Sequence, residues 1–205
     1  LVANSGARTF KLLMQHGGNY GTDRINASEE LERRLGDLFL YWGRAGVVPS
    51  ASALPLQAYK ERRRVKDCNK RSNITLFLVE LPRYVHRFHT GLRPAGWVND
   101  DKRRVFEFLS SSSKIRPNLV IKPYFQDYGW EITTELESAF EWVNIEKRSA
   151  NHRKLLLQSK ICVFPFITTG YLQALAADIP TVIFVDRGFS EFREDAVPLF
   201  KRLQN

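Results

Sequence analysis

Four short runs constrain the fold before anything else does: Ile74-Thr75-Leu76-Phe77-Leu78-Val79, Leu119-Val120-Ile121-Lys122, Ile161-Cys162-Val163-Phe164 and Thr181-Val182-Ile183-Phe184-Val185. Each is rich in β-branched or aromatic residues, and none alternates apolar with polar. A strand with one wet face alternates, whereas a strand covered on both faces does not need to. Helical patterns separate the runs. One covers 98–109, with Asn99 as the expected N-cap and Val105, Phe106 and Leu109 on one face; others cover 151–159 and 169–177. This alternation implies a Rossmann-like α/β fold, a mostly parallel sheet with helices on both faces. Runs at 10–15 and 37–43 add strands near the start. A last helix is expected over 189–203, kinked or split by Pro198.

Composition narrows the function classes. At 205 residues, 43% hydrophobic and 12% aromatic, the chain can build a core, which excludes a disordered or fibrous protein. No run reaches the ~18 to 20 apolar residues of a membrane span. Lys and Arg outnumber Asp and Glu by 31 to 22, a formal net charge of +9, which points to an anionic partner. Residues 59–71 concentrate that charge, with seven basic residues against two acidic. Such a run is usually a solvated face, and contact with an anionic membrane surface is the specific alternative. Cys68 and Cys162 form neither a disulfide framework nor a metal site, and a reducing compartment follows. The one Met is Met14 and the chain opens Leu1-Val2-Ala3, so a segment of a longer protein is expected.

Sheets of this class bind ligands beyond the carboxyl ends of their strands. That directs attention to residues 16–22, 80–97, 122–130, 165–170 and 186–194. Gln15-His16-Gly17-Gly18-Asn19-Tyr20-Gly21 puts a histidine at a strand end beside two glycines, where a ligand can approach the backbone. His16 suits an acid, a base or a phosphate donor, or simply a hydrogen-bonded turn. Thr168-Thr169-Gly170 stands at a helix N-terminus, which favours an anion as readily as it supplies a structural cap. Lys122 ends a strand where a cation would meet phosphate, and Asp127 with the aromatics around it would shape a sugar or base pocket. Arg83, His86, Arg87 and His89 gather donors after the first long strand, without the third ligand that a metal site needs. Ser190 suits a cap for the last helix, and Glu191 or Glu194 an acceptor for ribose hydroxyls.

Six motifs occur in a fixed order. They are His16-Gly17-Gly18-x-Tyr20-Gly21, a strand ending Trp42-Gly43, a strand leading to Pro82-Arg83-Tyr84, then Asp127-Tyr128-Gly129-Trp130, then Thr168-Thr169-x-x-Leu172-x-x-Leu175-Ala176-Ala177-x-Ile179-Pro180-Thr181, then Glu191-x-Arg193-Glu194. The order resembles a family of transferases of bacterial surface-carbohydrate biosynthesis, over about Leu12 to Leu203. More distantly it resembles the carboxyl-terminal half of two-domain GT-B glycosyltransferases, including capsule-polysaccharide and teichoic-acid-type enzymes.

The resemblance implies that residues 1–205 form one GT-B half, the nucleotide-sugar donor-binding domain of a longer, metal-independent enzyme that is inactive as an isolated half. It implies that the Gln15-His16-Gly17 turn lies near the interdomain cleft, and His16 is then the group expected to polarise or protonate the departing phosphate. Gly17, Gly18, Lys122, Thr168, Thr169 and Gly170 would meet donor phosphate, and Arg83, Asp127, Gln173, Glu191 and Glu194 would meet ribose, base or sugar. Lys122-Pro123 stands where relatives carry His-Pro, keeping a cation but not the histidine. Gln173 stands where relatives often carry Glu, keeping a hydrogen bond but not the charge. No metal and no cofactor is expected. The expected partners are a nucleotide-sugar donor, a glycan or lipid-linked acceptor and the amino-terminal domain of the same enzyme, with peripheral contact at the inner face of the membrane and a cytoplasmic location. Two other classes stay open. A basic nucleic-acid-binding module would use the +9 charge, although no recognised nucleic-acid signature appears and no nucleic-acid partner is expected. A nucleotide-sugar-modifying enzyme such as an epimerase would use the same half-fold.

Overall fold

A computed structural model describes residues 9–42, 50–53, 71–84, 95–184 and 191–202. The chain divides into two compact units, one of Leu1–Leu56 with Ser190–Asn205 and one of Gln57–Phe189.

The first unit opens with β1 (Leu12–Met14), α1 (Ala27–Leu35), β2 (Leu38–Trp42) and β3 (Ser50–Ala53). Its strands form a parallel sheet in the order β1-β2-β3. Helix α1 starts where Asn26 caps the Glu29 N–H, and it places Glu29 and Glu30 in the first turn and Arg33 and Arg34 in the last. That distribution matches the helix dipole at both ends.

The second unit holds β4 (Ile74–Phe77), α2 (Ala95–Ser110), a 3-10 turn (Arg116–Asn118), β5 (Leu119–Lys122), α3 (Ile132–Ala139), β6 (Asn144–Ile145), α4 (His152–Gln158), β7 (Ile161–Phe164), α5 (Thr169–Ala176) and β8 (Thr181–Ile183). All five strands pair in parallel, in the order β6-β5-β4-β7-β8. Numbered within the unit this is 3-2-1-4-5, the doubly wound arrangement, in which strand order reverses between β4 and β7.

Register divides the sheet's side chains into two faces. Leu76, Leu119, Ile121 and Val163 pack with Val105 and Leu109 of α2 and Ile132 and Leu136 of α3. The intervening residues, Thr75, Phe77, Val120, Cys162 and Phe164, are buried on the opposite face. There Cys162 Sγ lies 3.9 Å from the Leu156 carbonyl of α4, and Thr75 and Ser159 share a buried hydroxyl hydrogen bond of 2.6 Å. Burial pushes the Cys162 thiol up to about 12. The expected Rossmann-like α/β fold, with helices on both faces, is what the chain forms. The runs at 119–122 and 161–164 match their strands residue for residue.

The chain returns to the first unit with α6 (Val197–Arg202). The last helix is therefore shorter than expected. Residues 191–196 instead form turns and a bridge between Phe192 and Asp23. Pro198 falls in the first helical turn, where its missing N–H would lack a partner anyway. Asn99 is not a cap either: α2 begins at Ala95, and Trp97, 5% exposed, is buried ahead of Asn99. Residues 59–70, His86, Arg87, His89 and Ser190 lie outside the described residues. Arg71 is described and donates to the Ser159 carbonyl at 3.2 Å. Among the described residues no helix is long and apolar enough to cross a membrane.

Candidate functional site

The strand-order reversal locates the first candidate site. Leu78 and Glu80 after β4, Trp97 and Lys102 of α2, Trp130, and Phe166 after β7 line a cleft at the carboxyl ends of the five-stranded sheet. Its enclosed space is about 40 Å³, enough for a few waters. Around it, three loops are tied by one guanidinium. Arg148, after β6, donates to the Glu80 carboxylate at 2.6 Å, Asp127 at 2.9 Å, Thr133 Oγ1 at 3.3 Å and the carbonyls of Tyr124 and Gln126 at 3.0 and 3.2 Å. Glu80 also accepts the Tyr128 N–H at 3.1 Å, and only 2% of its side chain is exposed. Asp127 accepts the Gly129 N–H at 2.7 Å, stabilising a turn in which Gly129 has φ +85°, a region open to glycine.

Lys122 lies beneath this loop cluster, 3% exposed. Its ammonium donates to the carbonyls of Pro123 and Arg148, both at 2.8 Å. Burial lowers its pKa, the Arg148 charge adds to that, and Glu146 opposes it. His152, at the start of α4, lies 4.7 Å from the Phe77 ring. Desolvation and then the Lys122 charge hold its imidazole below the usual range. Arg83 is exposed, donates to the Gly129 carbonyl at 3.2 Å and lies 5.9 Å from the Trp130 ring.

Thr168 caps α5 by accepting the Gly170 N–H at 3.0 Å. Gly170 itself is explained by packing, since a Cβ there would stand 2.7 Å from Phe164 Cε1. Thr169 and Gln173 follow on α5 and are half-buried.

The second candidate site belongs to the three-stranded unit. Gln15 joins the carboxyl ends of β1 and β2, accepting the Trp42 N–H at 3.0 Å and donating to the Gly17 carbonyl at 2.8 Å. His16 projects from that clamp, and its side chain is 67% exposed. Its Nδ1 lies 3.5 Å from Glu32 Oε1, and the Tyr20 hydroxyl donates to Glu32 Oε2 at 3.0 Å. Gly18 is buried, and a Cβ on Gly17 would meet Asn19 Oδ1 at 3.1 Å. Glu29, 4% exposed, accepts the Gly21 N–H at 2.9 Å and the Tyr41 hydroxyl at 3.0 Å, with Arg193 at 3.4 Å. Burial first and Glu29 second push the Tyr41 phenol up to about 12. Glu191 forms an exposed ion pair with Arg24 at 2.8 Å, and Glu194 is exposed.

The expected site residues thus fall in two groups. His16, Gly17, Gly18, Glu191 and Glu194 belong to the three-stranded unit, while Arg83, Lys122, Asp127, Thr168, Thr169, Gly170 and Gln173 belong to the five-stranded unit. Sequence reasoning passed over Glu80, Arg148 and His152 in one unit and Glu29, Glu32 and Tyr41 in the other. The loop carrying Arg148 follows β6, a strand of two residues, too short to leave a pattern. The spacing of Glu29 and Glu32 was the available signal, because residues three apart share a helix face.

A search of curated proteins finds no match to this chain. The family model described as LIC12162 family transferase matches residues 2–205, almost the entire chain. By that match the chain belongs to the LIC12162 family of transferases.

Proposed function

We propose that this transferase moves a sugar, or a closely related group, from a nucleotide-activated donor to a glycan or lipid-linked acceptor in bacterial surface-polysaccharide synthesis, without a metal, as a GT-B-type enzyme. The observation that carries the reading is the reversal of strand order between β4 and β7, with an aromatic-lined cleft and the N-terminus of α5 at the same sheet edge. Doubly wound sheets bind nucleotides at such edges, and a helix N-terminus offers free N–H groups and about +0.5 charge to phosphate.

In this reading the first turn of α5, from Thr168 through Thr169 and Gly170, receives donor phosphate. Lys122 contributes its field from beneath, since its ammonium is bonded to two carbonyls. Arg83, Asp127 and Gln173 serve ribose, base or sugar. In the three-stranded unit, His16 is the proton donor of the transfer, with Gly17 and Gly18 shaping its turn, and Glu191 and Glu194 are the acidic groups for ribose, base or sugar. The acceptor, an amino-terminal domain of the same enzyme, contact with an anionic membrane face and a cytoplasmic location belong to the same proposal.

A thermal-shift series with CMP, CDP, UDP and GDP tests the donor class. A ligand bound only by the folded state adds stability by mass action, about 2.7 kcal/mol at one hundred times its dissociation constant. A concentration-dependent rise in Tm with one nucleotide is expected. Equal, negligible shifts with all four would overturn the nucleotide donor. Replacing His16 with Ala is expected to lower turnover by about 10²- to 10⁴-fold, the usual contribution of a general acid, with donor affinity little changed. Undiminished turnover would remove His16 from the chemistry.

A further inference from the structure

His16 has an inner edge and an outer edge, and they differ. The outer edge meets solvent, with two-thirds of the side chain exposed. The inner edge faces a carboxylate and a phenol. Glu32 Oε1 stands 3.5 Å from Nδ1, while the Tyr20 hydroxyl oxygen stands 3.3 Å from Nδ1 and 3.4 Å from Nε2. The Tyr20 ring lies edge-on to the imidazole at 5.0 Å.

These inner groups are themselves held. Tyr20 is 5% exposed and stacks on Phe39, which packs against Tyr41. Its hydroxyl donates to Glu32 Oε2. Burial, and then the bond and charge of Glu32, raise the Tyr20 phenol far above its usual range, so it remains a donor at every physiological pH. One turn before Glu32, Glu29 receives the Gly21 N–H and so fixes the far end of the histidine loop. Among the described residues, Glu32 is the anion within ion-pairing reach of the ring, and the Tyr20 bond orients its carboxylate.

In neutral imidazole, the bond made by one nitrogen decides which nitrogen carries the proton, and a carboxylate facing Nδ1 selects the Nδ1–H form. We propose that Glu32 is a positioning residue of His16: it accepts the Nδ1–H and leaves Nε2 as the nitrogen offered to substrate. The catalytic meaning of this inference rests on the reading of His16 as proton donor. In the doubly protonated ring, Nδ1–H is the proton nearest Glu32, and Nε2, 3.4 Å from the Tyr20 hydroxyl oxygen, carries the other. On transfer, the Nε2–H bond breaks, its electron pair stays on Nε2 and an O–H bond forms on the oxygen of the departing group. The ring left behind is the Nδ1–H tautomer, still facing the same carboxylate, so no ring flip is needed between turnovers. Contacts of this kind are often long before substrate binds and tighten afterwards, which suits the 3.5 Å separation.

The test is a long-range ¹H–¹⁵N spectrum of the full chain with ¹⁵N-labelled histidine, at a pH where the ring is neutral, with His16→Ala identifying the resonance. The expected result is an Nδ1–H majority for His16 in the wild type and loss of that majority in Glu32→Gln. The amide keeps a carbonyl for the Tyr20 hydroxyl, and circular dichroism checks that the fold is intact. If Glu32→Gln does not fold, Tyr20→Phe takes its place, and removing the hydroxyl that orients Glu32 should also lower the Nδ1–H share. An Nε2–H majority in the wild type, or a tautomer ratio unmoved by the substitution, would overturn the inference. A shifted tautomer with undiminished turnover in His16→Ala would leave the positioning intact and remove only the catalytic reading.

Discussion

The two candidate sites handle charge in opposite ways. At the carboxyl ends of the five-stranded sheet two cations are turned inward: Arg148 spends its donors on two carboxylates, a hydroxyl and two carbonyls, and Lys122 bonds two carbonyls. In the three-stranded unit a comparable network ends at the surface, in a histidine with most of its side chain in water. Hydrophobic cover differs in the same sense. Every residue of β5 is buried, whereas Leu12 and Met14 of β1 are each 54% exposed. A saturated buried network holds loops in place, while an exposed titratable group backed by a buried network is available for chemistry. The first unit to inspect for substrate binding is therefore not the first to inspect for proton transfer.

The sharpest way to break this contrast is Arg148→Ala. It would leave the Glu80 carboxylate, 2% exposed, without its cation. Removing one partner of a buried pair costs about 3–5 kcal/mol. Chemical denaturation followed by tryptophan fluorescence should show that loss, and a cost under about 1 kcal/mol, the level of a surface pair, would mean that the network is not the strut described.

Gly170→Ala probes the same unit by packing rather than charge. The new methyl meets Phe164, which is 1% exposed and stacked on Phe77 at 5.2 Å, so the ring has little room to yield. Overpacking of this kind costs about 1–3 kcal/mol, offset by up to ~1 kcal/mol of helix propensity. A net loss of stability measured by thermal melting supports a packing role for this glycine; a net gain would show that Phe164 yields to the added methyl.

The three-stranded unit should show its own signature at high pH. Tyr41 keeps its proton up to about 12 in the folded state because of burial and the Glu29 charge, while in the unfolded chain it titrates near ~10. The folded state therefore binds more protons across that window, so stability is intact below about pH 10 and falls as pH rises toward 12. Tyr41→Phe should flatten part of that slope in pH-dependent denaturation, and an unchanged slope would detach Tyr41 from Glu29. The smallest effect is expected at the exposed Arg24–Glu191 pair. Glu191→Ala should cost less than about 1 kcal/mol, and a larger loss would show that the carboxyl-terminal segment is held by more than backbone.

The parts of the fold that were legible came from composition concentrated in one place. Residues 119–122 and 161–164 declare themselves as buried strands because every position is packed on one face or the other. β3 reads Ser-Ala-Ser-Ala, which carries no strand propensity, and β6 is two residues long. Helix α1 was missed because it is mostly charged and has few apolar residues to mark a stripe. The candidate site was legible only at strand ends and helix starts, where His16, Lys122 and Thr168 announce themselves by position. Glu80 and Arg148 are 68 residues apart, and Glu29 and Arg193 are 164 apart. Neither pair has a local pattern, since its meaning exists only once the sheet has formed.

The thiol between α4 and the sheet gives the protein an internal clock. Cys162 is fully buried and holds its proton up to about 12, so an alkylating reagent that attacks thiolate has no route to it while β7 stays covered. Its labelling rate would report how often the central strands of the five-stranded unit become exposed, without any added probe. If the proposed nucleotide donor binds at the neighbouring sheet edge, it would slow that rate in proportion to the stability it confers.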